Sequence, residues 1–356
     1  MIVVIRFLSV VALSAVLVMA GPVLRPAQAE GLFDPMPTWA LAAAFGSQRL
    51  FLKSLLADRP RGAEQAAQDT AAALGLGPDV RFGQPRLSFA LRPMVVHDPN
   101  INAGLPFDRI EIGALSFTVT EETRAKAAWT FGARASASLD MPLAAGLVAQ
   151  AHAHVGRRHA PRHDITITER GAGTCLRYTA DIWIYLDGCL SVADLDNARR
   201  RVDSRSRVVT LGRLYDTARG VHELALSAMQ ITVDGQDQNR IRLSQRSMIA
   251  GIGALDLGLT LGERIEGRMV PVVSADLGYG ALVLGRPTRL SVSYARDEGG
   301  RLFGQDRADT SWTLRASRTV ARNAMVTVSH KRTTSSISAF NDRAWGIGLE
   351  YTGLRW

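Results

Sequence analysis

The chain has 356 residues and a formal net charge of +9, from 42 Lys and Arg against 33 Asp and Glu. Hydrophobic residues make up 47% of it, yet the mean hydropathy is only +0.03. Apolar side chains are therefore interspersed with polar ones, which excludes a helical membrane protein. A composition of 32 Gly and 14 Pro without a short period excludes a collagen-like chain, and the apolar content is too high for general disorder.

At the start, Arg6 is the only charge ahead of an apolar stretch from Phe7 to Ala20, and Ala27-Gln28-Ala29 offers small residues where a signal peptidase reads. Residues 1–29 are expected to be a cleaved secretory signal, with no Cys after the cleavage site to carry a lipid. Loss of Arg6 and Arg25 leaves 40 basic residues and a charge of +7. In an exported protein this does not point to nucleic acid. Residues 30–80 read as a short periplasmic helical segment. Leu41, Phe45, Leu50, Leu55 and Leu56 recur at helical steps and Ala63 to Leu74 is Ala-rich between turn signals, so two short helices are expected.

Beyond Pro78 the period changes to two. From Trp129 to Asp140 every odd position is apolar and every even one polar or Gly. Similar alternation runs through Leu147–Val155, Leu255–Leu261, Leu290–Tyr294, Trp312–Ala316 and Trp345–Tyr351. Turn signals lie between them at Asp234-Gly235, Gly285-Arg286-Pro287 and Glu298-Gly299-Gly300.

A soluble sandwich and a transmembrane barrel both accept such strands, but in opposite orientation. Several of the apolar faces are rich in Ala, too small to fill a core. The opposite faces carry Arg134, Asp140, Gln150, His152, His154 and Asp256, and aromatics sit near strand ends at Trp129, Tyr279, Tyr294, Trp312 and Tyr351. This fits lipid outside and water inside. The fold class expected for residues 81–356 is all-β: a transmembrane antiparallel β-barrel of about 14 strands, in the outer membrane of a Gram-negative bacterium, preceded by the helical segment. Its final strand, Gly346 to Trp356, ends on an aromatic, so Trp356 is the expected assembly signal for the barrel assembly machinery.

No catalytic constellation stands out, and no cofactor is expected. His152 and His154 share a strand face near His159 and His163, but no carboxylate or Cys is placed to complete a metal site. Ser–His pairs on a barrel wall serve lipid-acting enzymes, and spacing alone pairs none here. Arg199, Arg200, Arg201, Arg205 and Arg207 form a cluster suited to lipopolysaccharide phosphates, or to a solvated loop. Cys175 and Cys189 are 14 residues apart, so in one extended strand at ~3.3 Å per residue they would stand ~46 Å apart, and a turn at Leu186-Asp187-Gly188 would not close that distance. An exported chain's compartment would allow the two to pair, but this spacing disfavours a disulfide without deciding it.

The segment Val96-His97-Asp98-Pro99-Asn100-Ile101-Asn102-Ala103, followed by Ile110-Glu111-Ile112-Gly113, resembles the barrel entry of the surface lipoprotein assembly modifier family. So does the end of the chain: Arg307-Ala308-Asp309 before a strand, then Val326-Thr327-Val328, Ser335-Ser336-Ile337, Phe340, Arg343 and Gly346-Ile347-Gly348-Leu349. The resemblance covers about Phe82 to Trp356 and implies a fourteen-stranded outer-membrane barrel that helps lipoproteins or soluble clients reach the cell surface. The chain departs from that family by Ser336 in place of Asn, by Trp rather than Phe at the end, and by having no tetratricopeptide array.

The function expected on this reading is translocation or surface display of exported proteins by a monomeric barrel, without covalent chemistry. Its client or lumen contacts would be Asp98, Asn100 and Asn102 at the periplasmic mouth, with Arg134, Gln150, His152 and His154 on the wall. A lateral seam is expected where Ile110–Val119 meets Ala344–Trp356. The partners are outer-membrane lipids and lipopolysaccharide, the assembly machinery, and a lipoprotein or secreted protein client. A passive pore for small solutes is the alternative, followed by a barrel enzyme acting on lipid and a soluble periplasmic binding module.

Overall fold

The computed structural model describes residues 36–356 except 78–79, 81, 113–114, 181–182, 198–199, 303, 322, 353 and 356. The expected signal peptide and the terminal Trp356 lie outside the described residues.

Three helices open the described chain: α1 Thr38–Phe45, α2 Gln48–Asp58 and α3 Glu64–Ala73. The expectation was two. The break falls at Gly46-Ser47, where Gly46 caps α1 in an extended conformation and the Ser47 side chain accepts the Leu50 N–H at 3.1 Å as the N-cap of α2. The hydrophobic steps run straight across this break, so periodicity alone does not reveal it.

The strands are β1 Arg86–Asp98, β2 Arg109–Ile112, β3 Leu115–Thr118, β4 Ala128–Ala144, β5 Leu147–Ala160, β6 Ile165–Thr179, β7 Ile184–Asp196, β8 Arg201–Thr217 and β9 Gly220–Val233. They continue as β10 Gln236–Ile249, β11 Gly253–Gly262, β12 Val270–Val283, β13 Arg286–Leu302, β14 Gln305–Ala321, β15 Ala324–Ser335, β16 Asp342–Tyr351 and the short β17 Leu354–Arg355. From β4 to β16 each strand pairs antiparallel with its neighbours in sequence; β1 pairs with β4 on one edge and with β16 on the other, through Val95↔Leu349 and His97↔Ile347. The result is a closed barrel of fourteen strands. The β1–β16 ladder joins the two edges of the sheet, as strands surrounded by lipid require.

Closure corrects the expected seam. The first wall strand is β1, upstream of the Asp98–Ala103 segment that was expected to precede it, and the seam is β1 on β16. Ile110–Val119 instead lies in the long connection 99–127, where β2 and β3 form a separate hairpin. The alternation of β1 is blurred because its inward positions include Ala90, Met94 and Val96, and Pro93 interrupts the outer face. Glu298-Gly299-Gly300 is likewise no turn but an irregularity inside β13, with the register shifting between Glu298 and Gly300. Asp234-Gly235 is the turn its sequence promises: φ values of 49° and 81° give the mirror-image geometry that suits a right-handed hairpin.

The faces alternate as a membrane barrel requires. Leu186, Leu190, Leu211, Leu226, Leu243, Leu277, Leu314 and Ile347 are exposed on the outside, each 43% or more, and their sequence neighbours turn inward. Tyr178, Tyr279 and Tyr351 stand toward one end of this band, with Trp129, Tyr294, Trp312 and Trp345 toward the other. Such an outer face is stable only against acyl chains, so the chain is an outer-membrane protein of a Gram-negative bacterium. Connections at the end where β1 begins and β16 ends are short (145–146, 180–183, 218–219, 250–252, 284–285, 322–323), whereas the other end carries 99–127, 263–269 and 336–341. Short turns mark the periplasmic end and long loops the extracellular one. Asp98–Asn102, at the far end of β1, therefore belongs to the extracellular mouth and not to the periplasmic one.

Candidate functional site

The helices expected to form a separate periplasmic lead sit in the periplasmic mouth of the barrel. Leu41, Ala42 and Leu50 are buried against the inward-facing Tyr185, Leu214, Val221, Ala225, Met248 and Ala254 of β7–β11. Phe45 lies on Gly280 of β12, where a Cβ would come within 2.8 Å of the ring; glycine makes this contact available. Arg49 of α2, only 2% exposed, locks the plug to the wall. It donates Nη1 and Nη2 to the two carboxylate oxygens of Asp187 at 2.8 and 2.6 Å, and Nε to Thr179 Oγ1 at 2.8 Å. Its guanidinium lies 4.0 Å from the centroid of the Tyr185 ring. Tyr185 donates to Glu223 at 2.8 Å, and Ser47 donates to the other oxygen of Glu223 at 3.0 Å. Lys53 pairs with Asp216 at 2.9 Å. A buried cation with two-point recognition is held in one geometry.

Above and beside the plug is a lumen cavity of about 950 Å³. Its lining is Ser- and Thr-rich, with the arginines 242, 246, 289 and 315 and the carboxylates 223, 256, 276 and 350. Most of these charges are neutralised in the wall. Asp256 accepts from Arg246 at 2.6 Å and from Arg289 at 2.5 Å; Arg242 meets Asp276 at 3.1 Å, and Glu350 meets Arg92 at 3.3 Å. Arg315 has no ion-pair partner among the described residues. Its cross-strand neighbours are Ser291 and Ser329, and it lines the cavity. Sequence reading named Asp256 as inward but none of these arginines. A signal was present: Gly258 and Gly278 are inward-facing strand glycines, and a Cβ on them would approach Arg242 and Asp256 respectively.

The predicted wall residues are on the lumen face but on the other side of the barrel. Arg134 of β4 pairs with Glu169 of β6 at 2.5 Å across Gly156, whose missing side chain leaves the carboxylate its place. His152 and His154 of β5 stand over Gly173 and Gly171, and Gln150 accepts from Arg177 at 3.4 Å. None of the four lines the main cavity. The Asp98–Asn102 group is spent mainly on its own loop, with Asp98 also 3.9 Å from Arg158 of β5. Asp98 accepts the Asn100 N–H at 3.0 Å, Asn100 exchanges two bonds with Gly104, and the buried Asn102 ties to Arg124 and Lys126 at 2.8 and 2.9 Å. Such Asx contacts satisfy loop backbone rather than present groups to a client.

Cys175 and Cys189 are disulfide-bonded, although their spacing disfavours it. The hairpin turns at 180–183 rather than at Leu186-Asp187-Gly188, which sets the two directly opposite on β6 and β7 with Cα atoms 4.1 Å apart. They stand on the lumen face near Asp187. A Ser–His pair also emerges that spacing did not reveal: Ser247 Oγ is 2.8 Å from His222 Nδ1. Both residues are buried, Tyr215 stacks on the imidazole, and Thr217 rather than a carboxylate holds Nε2 at 2.9 Å. The pair ties strand ends together. Among the described residues no group of three or more His, Cys, Asp or Glu side chains is gathered for a metal.

No protein-family model and no curated protein matches this chain. Among solved structures, Acinetobacter baumannii OccAB4 is similar at 11% identity and a TM-score of 0.40, over 78% of this chain and 100% of that one. Pseudomonas aeruginosa OccK9 (OpdG) is similar at 11% identity and a TM-score of 0.39, over 77% and 99%. The β domain of the Bordetella autotransporter BrkA has a TM-score of 0.29 at 11% identity, over 76% and 99%. At these scores the likeness adds nothing to the strand ladder, which establishes the barrel by itself.

Proposed function

We propose that this barrel is an outer-membrane pore for small solutes, narrowed at its periplasmic mouth by the folded segment α1–α3. The observation that carries the proposal is the polar cavity of about 950 Å³ inside a closed, lipid-facing wall. Its volume lies in the range of small-molecule sites. This was the alternative at the sequence level, and the geometry supports it over translocation of lipoproteins for two reasons. Asp98, Asn100, Asn102, Arg134 and Gln150 are occupied in loop hydrogen bonds or wall contacts, and the plug narrows the periplasmic entrance a client would use.

Selectivity would come from the lumen charges. The cavity lining carries four arginines against four carboxylates, so fixed charge gives no strong ionic preference, and size and hydrogen bonding decide passage. The test is swelling of proteoliposomes in isotonic sugars of graded size. Entry of mono- and disaccharides with exclusion of larger oligomers is expected. Equal exclusion of all of them would defeat the pore.

A further inference from the structure

We infer that the outer wall at β14–β16 is a binding site for the phosphate groups of lipid A in the outer leaflet. Arg332 of β15 and Arg343 of β16 are directly opposite in the ladder. Both point outward: their neighbours along the same faces, His330 and Trp345, pair with each other and with Leu314 on the lipid side. Both arginines are exposed, and neither has a carboxylate partner among the described residues. Two like charges facing each other across a ladder destabilise a sheet. The pair is therefore unfavourable in the protein alone and becomes favourable when an anion lies between the guanidinium groups, which are built for bidentate grip on phosphate oxygens.

Its position selects the anion. On the same rung, Trp312 is cross-strand from Arg332 and Tyr294 packs on Trp312 at 4.9 Å; one step toward the membrane, His330 lies on Trp345 at 4.5 Å. Leu314, Val328 and Ile347 follow on the outer face. The arginines thus stand at the level of the aromatic band and just above an aliphatic surface, at the extracellular end defined by the long loops. A ligand that meets both needs acyl chains against the wall and a phosphate at the headgroup level of the outer leaflet. The arginine cluster at β7–β8 is less apt. Arg200 meets Asp234 at 3.7 Å, and Arg201 meets Asp194 and Asp203 at 2.8 and 3.6 Å, so acids already neutralise part of it.

The inference rests on the outward face of the barrel and not on the pore reading. The experiment is native mass spectrometry of the detergent-purified full barrel with bis-phosphorylated lipid A, with dephosphorylated lipid A of the same chains, and with phosphatidylglycerol. One lipid A is expected to be retained. Arg332→Gln/Arg343→Gln should reduce retention at least tenfold, and Arg332→Lys/Arg343→Lys should keep most of it. Thermal unfolding adds a sign test: without lipid A the Gln pair should melt above the parent, and with lipid A below it. Equal retention by the Gln variant, equal retention of the dephosphorylated lipid, or preference for phosphatidylglycerol would each overturn the assignment. Single-channel conductance of the same variants should match the parent, so failure here and failure of the pore are separable.

Discussion

Arg49 shows how one side chain ties a helix to a barrel. Its guanidinium has the Asp187 carboxylate in front, the Thr179 hydroxyl at the side and the Tyr185 ring against its face. Such a group is weak evidence of net stability, because desolvating both ions offsets their attraction, but removing one partner leaves the other uncompensated. Asp187→Ala is accordingly the harsher substitution and should cost ~3–5 kcal/mol of plug docking. Arg49→Ala leaves Asp187 with Arg177 at 3.5 Å and should release the plug without collapsing the wall. The expected readout for Arg49→Ala is a larger and noisier unit conductance with an unchanged heat-modifiable gel shift. At Asp256 the argument concerns selectivity. This carboxylate neutralises Arg246 and Arg289 together, so Asp256→Asn frees positive charge in the cavity. Reversal potentials in a salt gradient should move toward anion preference; no movement would mean that permeating ions do not pass this level.

At the scale of elements, strands with a clean alternation were legible and the others were not. The stretches 129–140, 147–155, 255–261, 312–316 and 345–351 all fall inside wall strands, because a wet face and a lipid face demand opposite chemistry at successive residues. β1 was missed because its inward positions include Met94 and Val96 beside Arg92, and Pro93 interrupts it. The plug was missed for another reason: an amphipathic helix has the same pattern whether it rests on a partner, on a sibling helix or inside a barrel. Pairings made by the ladder were also invisible, including Cys175 with Cys189 and Arg332 with Arg343, since register decides them and sequence spacing does not. The hairpin disulfide should be a local staple. Cys175→Ser/Cys189→Ser is expected to assemble and to lose no more than ~3 kcal/mol, the loop-entropy value for a loop of about this length. Heat-modification midpoints under reducing and oxidising conditions measure it. Leu257→Arg tests the facing of β11. On the lipid side it should cost ~2–4 kcal/mol near the midplane and impair assembly, whereas Gly258→Ser, one residue on and facing inward, should assemble.

For the whole molecule, three surfaces divide the work. The outer face meets acyl chains, the lumen is lined with hydroxyls and largely neutralised charges, and the periplasmic mouth is filled on the β8–β12 side by helices whose apolar face has no other place to go. A plug built from the chain's own N-terminal segment can narrow a barrel without any change in the wall, so permeability and assembly should be separable by mutation. The measurement that bears most directly on this account is single-channel recording of the purified barrel in planar lipid bilayers, with insertion verified by flotation. Discrete, steady conductance steps are predicted for the parent, and larger ones for Arg49→Ala. Verified insertion with no conductance above the noise in either protein would contradict it.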